Sequence, residues 1–233
     1  MPPFEDLSPT VEHFSGEVRL FPLPDLVLFP HVLQPLHIFE PRYRSLLEDA
    51  LKDDRLIAMS LLRPGWEQDY EGRPPLYPTA CLGRVTAHRR LDDGTYNLLL
   101  LGLHRVRLVR ELSPRRRYRE ARAELCDDYV PPLSAAKQKA LTRRLREAFL
   151  KALPLLPDAK EQLEELVDGD VPLGTLTDLV SYVLELEPAE KHQLLAEVNV
   201  WRRANLLLEH LSAAEQAGAD LAAAGFPPPF SAN

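Results

Sequence analysis

The fold is decided by residues 18–46, which read VRLFPLPDLVLFPHVLQPLHIFEPRYRSL. Three apolar runs in it predict short strand segments at 18–21, at 26–29 and around 36–39. Proline has no backbone N–H and cannot donate to a β-ladder, so the prolines between these runs must lie at strand ends, edges or bends. Short strands interrupted in this way predict a small, sharply curved barrel rather than a flat sheet.

The same stretch ends in a predicted helix that begins at Pro41. Proline is favoured at the first helical position, and Glu40 precedes it as a candidate cap. Apolar residues then recur at helical spacing from Tyr43 to Leu51, which indicates one buried stripe. His37 stands within the preceding apolar run and is interpreted as a core or edge histidine.

Downstream residues continue the β pattern as far as residue 127. RLIAMSLL at 55–62 predicts a buried strand, and alternating apolar residues predict four further strand segments between residues 82 and 125. Asp92-Asp93-Gly94 has the chemistry of a hairpin turn, and Gly102 predicts a kink. The interval from Arg63 to Pro78 is rich in glycine and proline and is predicted to be a long loop.

After Val130-Pro131-Pro132 the apolar period changes to that of helices. Ser134 and Asn199 are candidate caps, Asp158 with Glu161 predicts a helix at 158–169, and Thr175 or Thr177 is the expected start of another helix. Short connections between these helices predict a compact bundle. The predicted fold class is therefore α+β. The expected divisions are a flexible lead-in at 1–16, a β-barrel subdomain at 17–129, a helical bundle at 130–215 and a flexible tail at 216–233.

Composition indicates a globular protein in the cytoplasm. The chain has 233 residues, 45% of them hydrophobic, which is enough to bury a core without metal or disulfide staples. Cys81 and Cys126 form no CxxC pair and predict two reduced thiols. No apolar run reaches the roughly 18–20 residues of a membrane span, so no membrane partner is predicted.

The negative charge is concentrated in the second half of the chain. Residues 1–125 contain 18 Lys+Arg and 18 Asp+Glu, whereas the remaining residues contain 10 and 17, which accounts for the net charge of −7. A neutral β half beside an acidic helical half predicts two units with different surfaces.

Motifs of nucleotide or nucleophile chemistry are absent. The sequence contains no GxxxxGK[ST], GxGxxG or GxSxG. His31 and His37 lie six residues apart across Pro35 and lack the spacing that places two metal ligands on one helical face. We therefore predict no catalytic residue, no metal and no cofactor.

One basic cluster lies between Arg105 and Arg122. Eight arginines against Glu111 and Glu120 give it a local net charge of +6. The favoured interpretation is that outward strand positions of an antiparallel pair carry arginine and that these arginines pair with the acidic helical half. A polypeptide contact and an RNA-binding face are the alternatives, although Tyr118 is the single aromatic nearby and the overall charge is negative. The candidate polyanion or domain-contact patch is Arg115, Arg116, Arg117 and Arg119.

Several of these segments, taken in order, resemble the amino-terminal domain of the Lon protease family. The similarity extends over roughly residues 17–211. The matching segments are Phe21-Pro22-Leu23, Val27-Leu28-Phe29-Pro30, Pro35-Leu36, Ile38-Phe39-Glu40-Pro41-Arg42-Tyr43, Leu82-Gly83-Arg84-Val85, Asp92-Asp93-Gly94-Thr95, Leu101 to Arg107, Asp178-Leu179-Val180, Glu187 to Leu195 and Val198-Asn199.

This resemblance implies a pseudouridine-synthase-type (PUA-like) barrel followed by a helical bundle, and a role in recognising unfolded or damaged polypeptides. The ATPase and the Ser–Lys protease region of full-length Lon have no counterpart in the sequence, so the chain is interpreted as a stand-alone, non-enzymatic binding module. Loop aromatics beside the barrel are the expected contacts for an apolar segment. The candidate polypeptide-binding residues are Phe29, His31, Trp66, Tyr70 and Tyr77.

The predicted partners are unfolded or damaged polypeptides, a separate ATPase–protease and weakly bound copies of the same chain. Three other functions remain as alternatives. The chain could be an adaptor that docks on an ATPase–protease, a PUA-like module that binds RNA through Arg105–Arg122, or a hydrolase whose nucleophile and base meet only in the fold. Polypeptide binding is the favoured function, and nucleic acid is the less favoured partner.

Overall fold

The computed structural model describes residues 14–132, 134–152 and 171–223, with side chains described as far as residue 216. The strands are β1 (Glu17–Leu23), β2 (Leu33–Ile38), β3 (Leu56–Leu62), β4 (Leu76–Arg90), β5 (Tyr96–Glu111) and β6 (Arg119–Cys126). The helices are α1 (Pro41–Lys52), α2 (Ala135–Ala152), α3 (Leu173–Val183), α4 (Pro188–Ala196) and α5 (Val200–Ala223). The helix predicted at 158–169 and most of the predicted lead-in and tail lie outside the described residues.

The six strands form one mixed sheet in the order β2-β5-β4-β3-β1-β6. β6 pairs with β1 and also with the second half of β5, so the pairings through β5, β4, β3, β1 and β6 close into a circuit. β1 and β3 are parallel and are connected through α1, whereas the other pairs are antiparallel. Leu20, Ala58, Leu82 and Val106 pack in the core that these strands share. The predicted α+β class is confirmed.

The apolar run at residues 26–29 is buried but forms no strand, contrary to prediction. The end of this run contacts β5 at Gly102. His31 donates its backbone N–H to the Gly102 carbonyl, and Gly102 donates its own to the Val32 carbonyl, both at 2.8 Å. A Cβ on Gly102 would lie 2.0 Å from the Phe29 carbonyl oxygen, so only glycine allows this close approach.

The predicted loop from Arg63 to Pro78 is shorter in the structure. Residues Trp66–Asp69 form a 3₁₀ helix, and β4 begins at Leu76. Pro78 lies inside β4, beside the irregularity where the register to β3 shifts between Ser60 and Leu62. A ladder hydrogen bond is dispensable at such an irregularity, which is why proline is tolerated there.

Helix α1 begins at Pro41, as predicted, but Glu40 does not cap it through its side chain. The Glu40 carboxylate accepts hydrogen bonds from Arg42 Nε at 2.9 Å and from the Tyr70 hydroxyl at 2.7 Å. In contrast, Ser134 Oγ accepts from the Lys137 N–H and Asn199 Oδ1 from the Arg202 N–H, so both of these predicted caps form. α3 begins at Leu173, before either predicted threonine.

The chain divides into two compact units. The first comprises Met1–Asp128 and Ser181–Val198, and the second Tyr129–Val180 and Asn199–Asn233. The sequence-based division assigned all of 130–215 to the bundle, whereas α4 packs on β4 within the first unit. His192 Nε2 donates to the Thr79 carbonyl at 3.2 Å, and Arg105 Nε donates to the Leu195 carbonyl at 2.9 Å. Helical periodicity is the same whichever unit a helix joins, so it does not reveal this arrangement.

The second unit is held by apolar packing around one buried charge pair. Leu145 and Phe149 of α2 and Leu207 of α5 are among its fully buried side chains. Arg203 is also fully buried, with its Nε 2.8 Å from Thr177 Oγ1 and 3.6 Å from Asp178 Oδ1. A buried guanidinium requires such partners because an uncompensated charge in the interior is costly.

We expect Gly102→Ala to destabilise the protein by about 2–4 kcal/mol, because the added methyl overlaps the Phe29 carbonyl in a packed interior. Urea unfolding followed by circular dichroism measures the loss. Gly94→Ala is the matched control. Gly94 has φ +80°, and its added methyl would meet only the flexible end of Arg44, so its cost should be about 1 kcal/mol. Equal losses for the two variants would contradict the steric account.

Because His192 is buried, we expect the folded protein to lose stability in mild acid. Burial between α4 and β4 lowers the pKa of His192, although its hydrogen bond to Thr79 acts in the opposite direction. The unfolded chain therefore binds a proton at His192 more readily than the folded protein does. The stability that neutral His192 contributes is complete above the ordinary histidine pKa, and it decreases as the pH falls below that value. Urea midpoints from about pH 8 to about pH 5 should fall less for His192→Gln than for the parent. Parallel profiles would contradict this assignment.

Candidate functional site

The register of β2, β5 and β4 brings an apolar row to the outside of the sheet. Pro35 pairs with Leu99, and Leu99 pairs with Ala87 of β4. Successive residues of a strand point to opposite faces, so Leu33, Pro35 and His37 share one face of β2. These three are exposed, whereas Val32 and Ile38, at the alternate positions, are buried. We name Leu33, Pro35, His37, Phe39, Ala87, Asn97 and Leu99 the outer sheet face.

Phe39 is the most prominent apolar side chain of the outer sheet face. It follows β2 directly and is 62% exposed, while Leu33 at the other end of β2 is 48% exposed. The Phe39 ring stacks on His37 with centroids 6.1 Å apart. His37 Nδ1 in turn lies 2.8 Å from Asn97 Oδ1 across the β2–β5 pair. Phe39 is therefore held at the surface by a hydrogen-bonded neighbour and does not turn into the core.

A shallow depression of about 580 Å³ lies over the outer sheet face. Pro35, Leu99 and Ala87 form its apolar row, and His37, Asn97 and Arg89 form a polar row beside it. An apolar row next to hydrogen-bonding groups suits an extended chain that carries both kinds of side chain.

Phe29 and His31, two of the sequence-predicted contacts, lie on either side of a sharp turn. Phe29 is fully buried, so its ring belongs to the core and is not available at the surface. His31 is exposed and has φ +66°, a left-handed conformation that is uncommon for histidine. Of the five predicted aromatic or histidine contacts, His31 is the one that is fully exposed.

Trp66 and Tyr70 lie together at the 3₁₀ helix, with ring centroids 5.4 Å apart. Both are half-buried, and a charged network fixes them. The Arg42 guanidinium lies 4.6 Å from the Tyr70 ring centroid and donates to the Tyr70 carbonyl at 3.1 Å. Burial and the hydrogen bond to Glu40 raise the pKa of the Tyr70 hydroxyl. The Trp66 and Tyr70 rings therefore cover part of the first unit, and only the outer edges of the two rings face solvent.

Tyr77 packs on α4 and not beside Trp66 or Tyr70. Its ring centroid lies 4.3 Å from that of His192, and the Arg63 guanidinium lies 5.6 Å from the same ring. Tyr77 is thus partly buried and helps attach α4 to β4. The five sequence-predicted contacts thus occupy three structural settings: the core turn, the 3₁₀ helix and the α4–β4 interface.

Most of the predicted basic cluster pairs with acids of the first unit. Arg105 and Arg119 are buried, the former 3.3 Å from Asp128 and the latter 2.5 Å from Glu111. The further pairs are Arg107 with Glu124, Arg116 with Asp49 and Arg122 with Glu17. The acids of all five pairs lie within the first unit, whereas the sequence predicted partners in the acidic helical half.

Arg115 and Arg117 remain as exposed charges. They lie beside Asp49 and Glu48 in a shallow depression of about 390 Å³, and no ion pair joins either of them to another described residue. Buried Tyr118 donates to Asp49 at 2.9 Å, and burial together with this bond raises its pKa to about 12. The one aromatic ring of the cluster is thereby used inside the protein and offers no face for a nucleic-acid base.

Two absences hold for the described part of the chain. No group of three or more His, Cys, Asp or Glu side chains there is arranged to hold a metal ion. Among the same residues, no helix combines the length and the apolar character that crossing a membrane requires.

The outer sheet face is not predicted by the local sequence pattern. Leu33, Pro35 and Phe39 at its exposed positions are as apolar as Leu36 and Ile38 at the alternate positions, so the stretch shows no apolar/polar alternation. Leu99 and Ala87 could not be added from the sequence, because their contribution depends on strand order and register.

Comparison with known proteins matches residues 17–213 to the family model of the ATP-dependent protease La (LON) substrate-binding domain. The chain is 28% identical over 201 residues to the Lon protease of Anaeromyxobacter dehalogenans. It is 30% identical over 193 residues to Lon protease 2 of Desulfotalea psychrophila. These alignments cover 86% and 82% of the chain, but only 24% of the length of each relative.

Solved structures show the same fold. The N-terminal domain of the Mycobacterium avium complex Lon protease superposes with a TM-score of 0.65 at 18% identity, over 84% of this chain and 98% of that one. The Lon N-terminal domain protein from Xanthomonas campestris superposes with a TM-score of 0.59 at 22% identity, over 83% and 97%. With the family match over most of its length, the chain belongs to the ATP-dependent protease La (LON) substrate-binding domain family.

Proposed function

We propose that this protein binds exposed apolar segments of unfolded or damaged polypeptides on its outer sheet face and acts in protein quality control with an ATP-dependent protease. The observation that carries the proposal is the outer sheet face, where the apolar row of Pro35, Leu99 and Ala87 lies between the exposed side chains of Leu33 and Phe39 at the two ends of β2. Family membership supports the polypeptide as ligand, since the family is described as a substrate-binding domain. The names of the relatives support the link to proteolysis.

The physical driving force is the removal of apolar surface from water. Burying about 50 Å² of the Phe39 ring would contribute about 1.2 kcal/mol at roughly 25 cal/mol per Å². Leu33 and the Pro35–Leu99–Ala87 row add smaller amounts of the same kind. Ordering a flexible ligand consumes much of this gain, so binding should be weak and tolerant of sequence. Such behaviour suits a module that recognises exposed apolar chain as a class.

The chemistry of the outer sheet face is that of recognition. Its polar groups, His37 and Asn97, already share a hydrogen bond and can exchange partners with a ligand backbone. We propose no catalytic role for them, since neither is paired with a nucleophile. An adaptor that presents captured polypeptide to a protease is consistent with this arrangement.

The test uses a fluorescently labelled, permanently unfolded polypeptide titrated with the full chain and followed by anisotropy. Phe39→Ser should weaken binding about eightfold, the equivalent of about 1.2 kcal/mol. Because the ring is exposed, the free energy of unfolding should change little. Increasing salt should leave the affinity nearly unchanged, since apolar contact is not screened.

Val109→Ser is the matched control for Phe39→Ser. Val109 is also an exposed apolar residue of the same unit, at 50%, but it is not part of the outer sheet face. It should bind like the parent protein. Equal weakening in both variants, or no saturable binding by the parent, would overturn the proposal.

Trp66 and Tyr70 remain proposed as a secondary contact for the same ligand, because both side chains are only partly buried. We expect Trp66→Ala to weaken binding by about twofold, less than Phe39→Ser, since less of its surface is available. The same anisotropy titration measures it. A larger effect than that of Phe39→Ser, at unchanged stability, would move the principal contact from the outer sheet face to the 3₁₀ helix.

A further inference from the structure

The second unit contains an apolar groove that the proposed function does not use. Two cavities, of about 490 Å³ and 600 Å³, share Pro131 and Trp201 in their linings. Val130, Val171, Leu173 and Val200 line the first of them. We name this continuous depression the Trp201 groove. Trp201 is half-buried at its centre, and Val130 at its edge is 58% exposed.

The walls of the Trp201 groove are built by regular structure. The Val200 N–H donates to the Tyr129 carbonyl at 3.1 Å, and Asn199 caps the first turn of α5, so Trp201 projects from a fixed helix start. The Trp201 carbonyl accepts from Asn205 Nδ2 at 2.8 Å. α2 forms the opposite wall and packs on α5 through its own buried stripe of Leu141 and Leu145. The groove is thus preformed, and a ligand need not order it.

The rim of the Trp201 groove is basic although the protein is acidic. α2 carries six basic residues and one acid, a net charge of +5, in a chain of net charge −7. Lys139 and Arg143 line the first cavity, Lys137, Arg144 and Arg202 line the second, and all five are exposed. Arg143 lies 3.7 Å from Glu147, an exposed pair that solvent largely screens.

We propose that the Trp201 groove binds an acidic polypeptide segment that carries an apolar side chain. The apolar residue packs against Trp201, Val130 and Leu173, and the flanking carboxylates lie near Lys139 and Arg143. Charge complementarity selects the ligand, because basic side chains along the α2 wall of an apolar floor favour a segment in which acidic residues lie next to an apolar one. An aromatic or leucine anchor is the residue type that such a pocket retains best.

A polypeptide fits this groove better than a nucleic acid. Besides Trp201, the floor is aliphatic and proline, and bases stack on aromatic rings rather than on valine or leucine. Trp201 offers one ring, whereas a single-stranded nucleic acid is bound by a series of them. A nucleic acid would therefore obtain electrostatic attraction here, but few specific contacts.

This inference goes beyond the proposed function in both place and ligand chemistry. The outer sheet face consists of first-unit residues and selects apolar character, whereas the Trp201 groove consists of second-unit residues and selects acid flanking an apolar anchor. An experiment can therefore refute the proposal for one site and leave the proposal for the other site unaffected. Phe39→Ser should leave the binding of an acidic peptide unchanged, and changes at Lys139 or Arg143 should leave the binding of a neutral unfolded chain unchanged.

The experiment uses intrinsic tryptophan fluorescence in the Trp66→Phe protein, where Trp201 is the single remaining tryptophan. The probe is a short peptide of glutamates around a Leu-Phe pair, and its control has glutamine at every glutamate position. The acidic peptide should shift the Trp201 emission to the blue with saturation, and about tenfold more tightly than the glutamine peptide. Equal affinities, or no change in Trp201 emission on saturation, would overturn the proposal.

Charge variants separate the groove from a general basic surface. The double variant Lys139→Glu with Arg143→Glu should weaken binding of the acidic peptide about tenfold or more. Lys151→Glu is the matched control, because Lys151 is exposed on the same helix but lines neither cavity. It should weaken binding less than twofold. If both proteins lost the same affinity for the acidic peptide, the effect would be one of net charge, and the proposed site would be wrong.

A competition experiment with single-stranded RNA completes the test. If oligouridine displaces the acidic peptide at lower concentration than the unlabelled peptide itself, and shows a steep salt dependence, the groove is a nucleic-acid site and the proposal fails. Displacement by the unlabelled peptide alone supports it. Circular dichroism of each variant confirms that the helices of the second unit are retained.

Discussion

The contact of Gly102 with the Phe29 carbonyl is the constraint on which the first unit depends. Two backbone hydrogen bonds, from His31 to Gly102 and from Gly102 to Val32, join this turn to β5. They determine where β2 begins along β5 and therefore its register. A shift of one residue would exchange the faces of β2 and would turn Leu33, Pro35 and His37 into the core. The outer sheet face thus exists because a side chain is absent at residue 102.

Two phenylalanines with similar sequence contexts differ in burial on the two sides of this turn. Phe29 and Phe39 both stand at the end of apolar runs and precede a proline by one or two residues. Phe29 is fully buried under β5, whereas Phe39 is mostly exposed beyond β2. Exposing a large aromatic ring gives up the stability that its burial would add, so a position of this kind is typical of a binding surface.

Charge is used differently in the two units. In the first, arginines of β5 and β6 are largely satisfied by acids on neighbouring strands and by carbonyls, as with Arg119 between Glu111 and the Pro74 carbonyl. In the second, one arginine, Arg203, is buried with Asp178, while α2 displays basic side chains to solvent beside Trp201. Paired arginines stabilise the fold, and the solvated charges of α2 remain available to a ligand.

The sequence by itself determined the α+β class and the start of α1 at Pro41, because both depend on local periodicity and local chemistry. The resemblance of its motifs to the Lon amino-terminal domain indicated the family. Only the tertiary structure decided that Phe29 is buried, that Phe39 is exposed and that α4 packs on the sheet. It also decided which arginines are paired. Those outcomes depend on strand order and register between residues far apart in the chain, such as Phe29 with Gly102 and Arg105 with Leu195, and periodicity carries no information about such pairs.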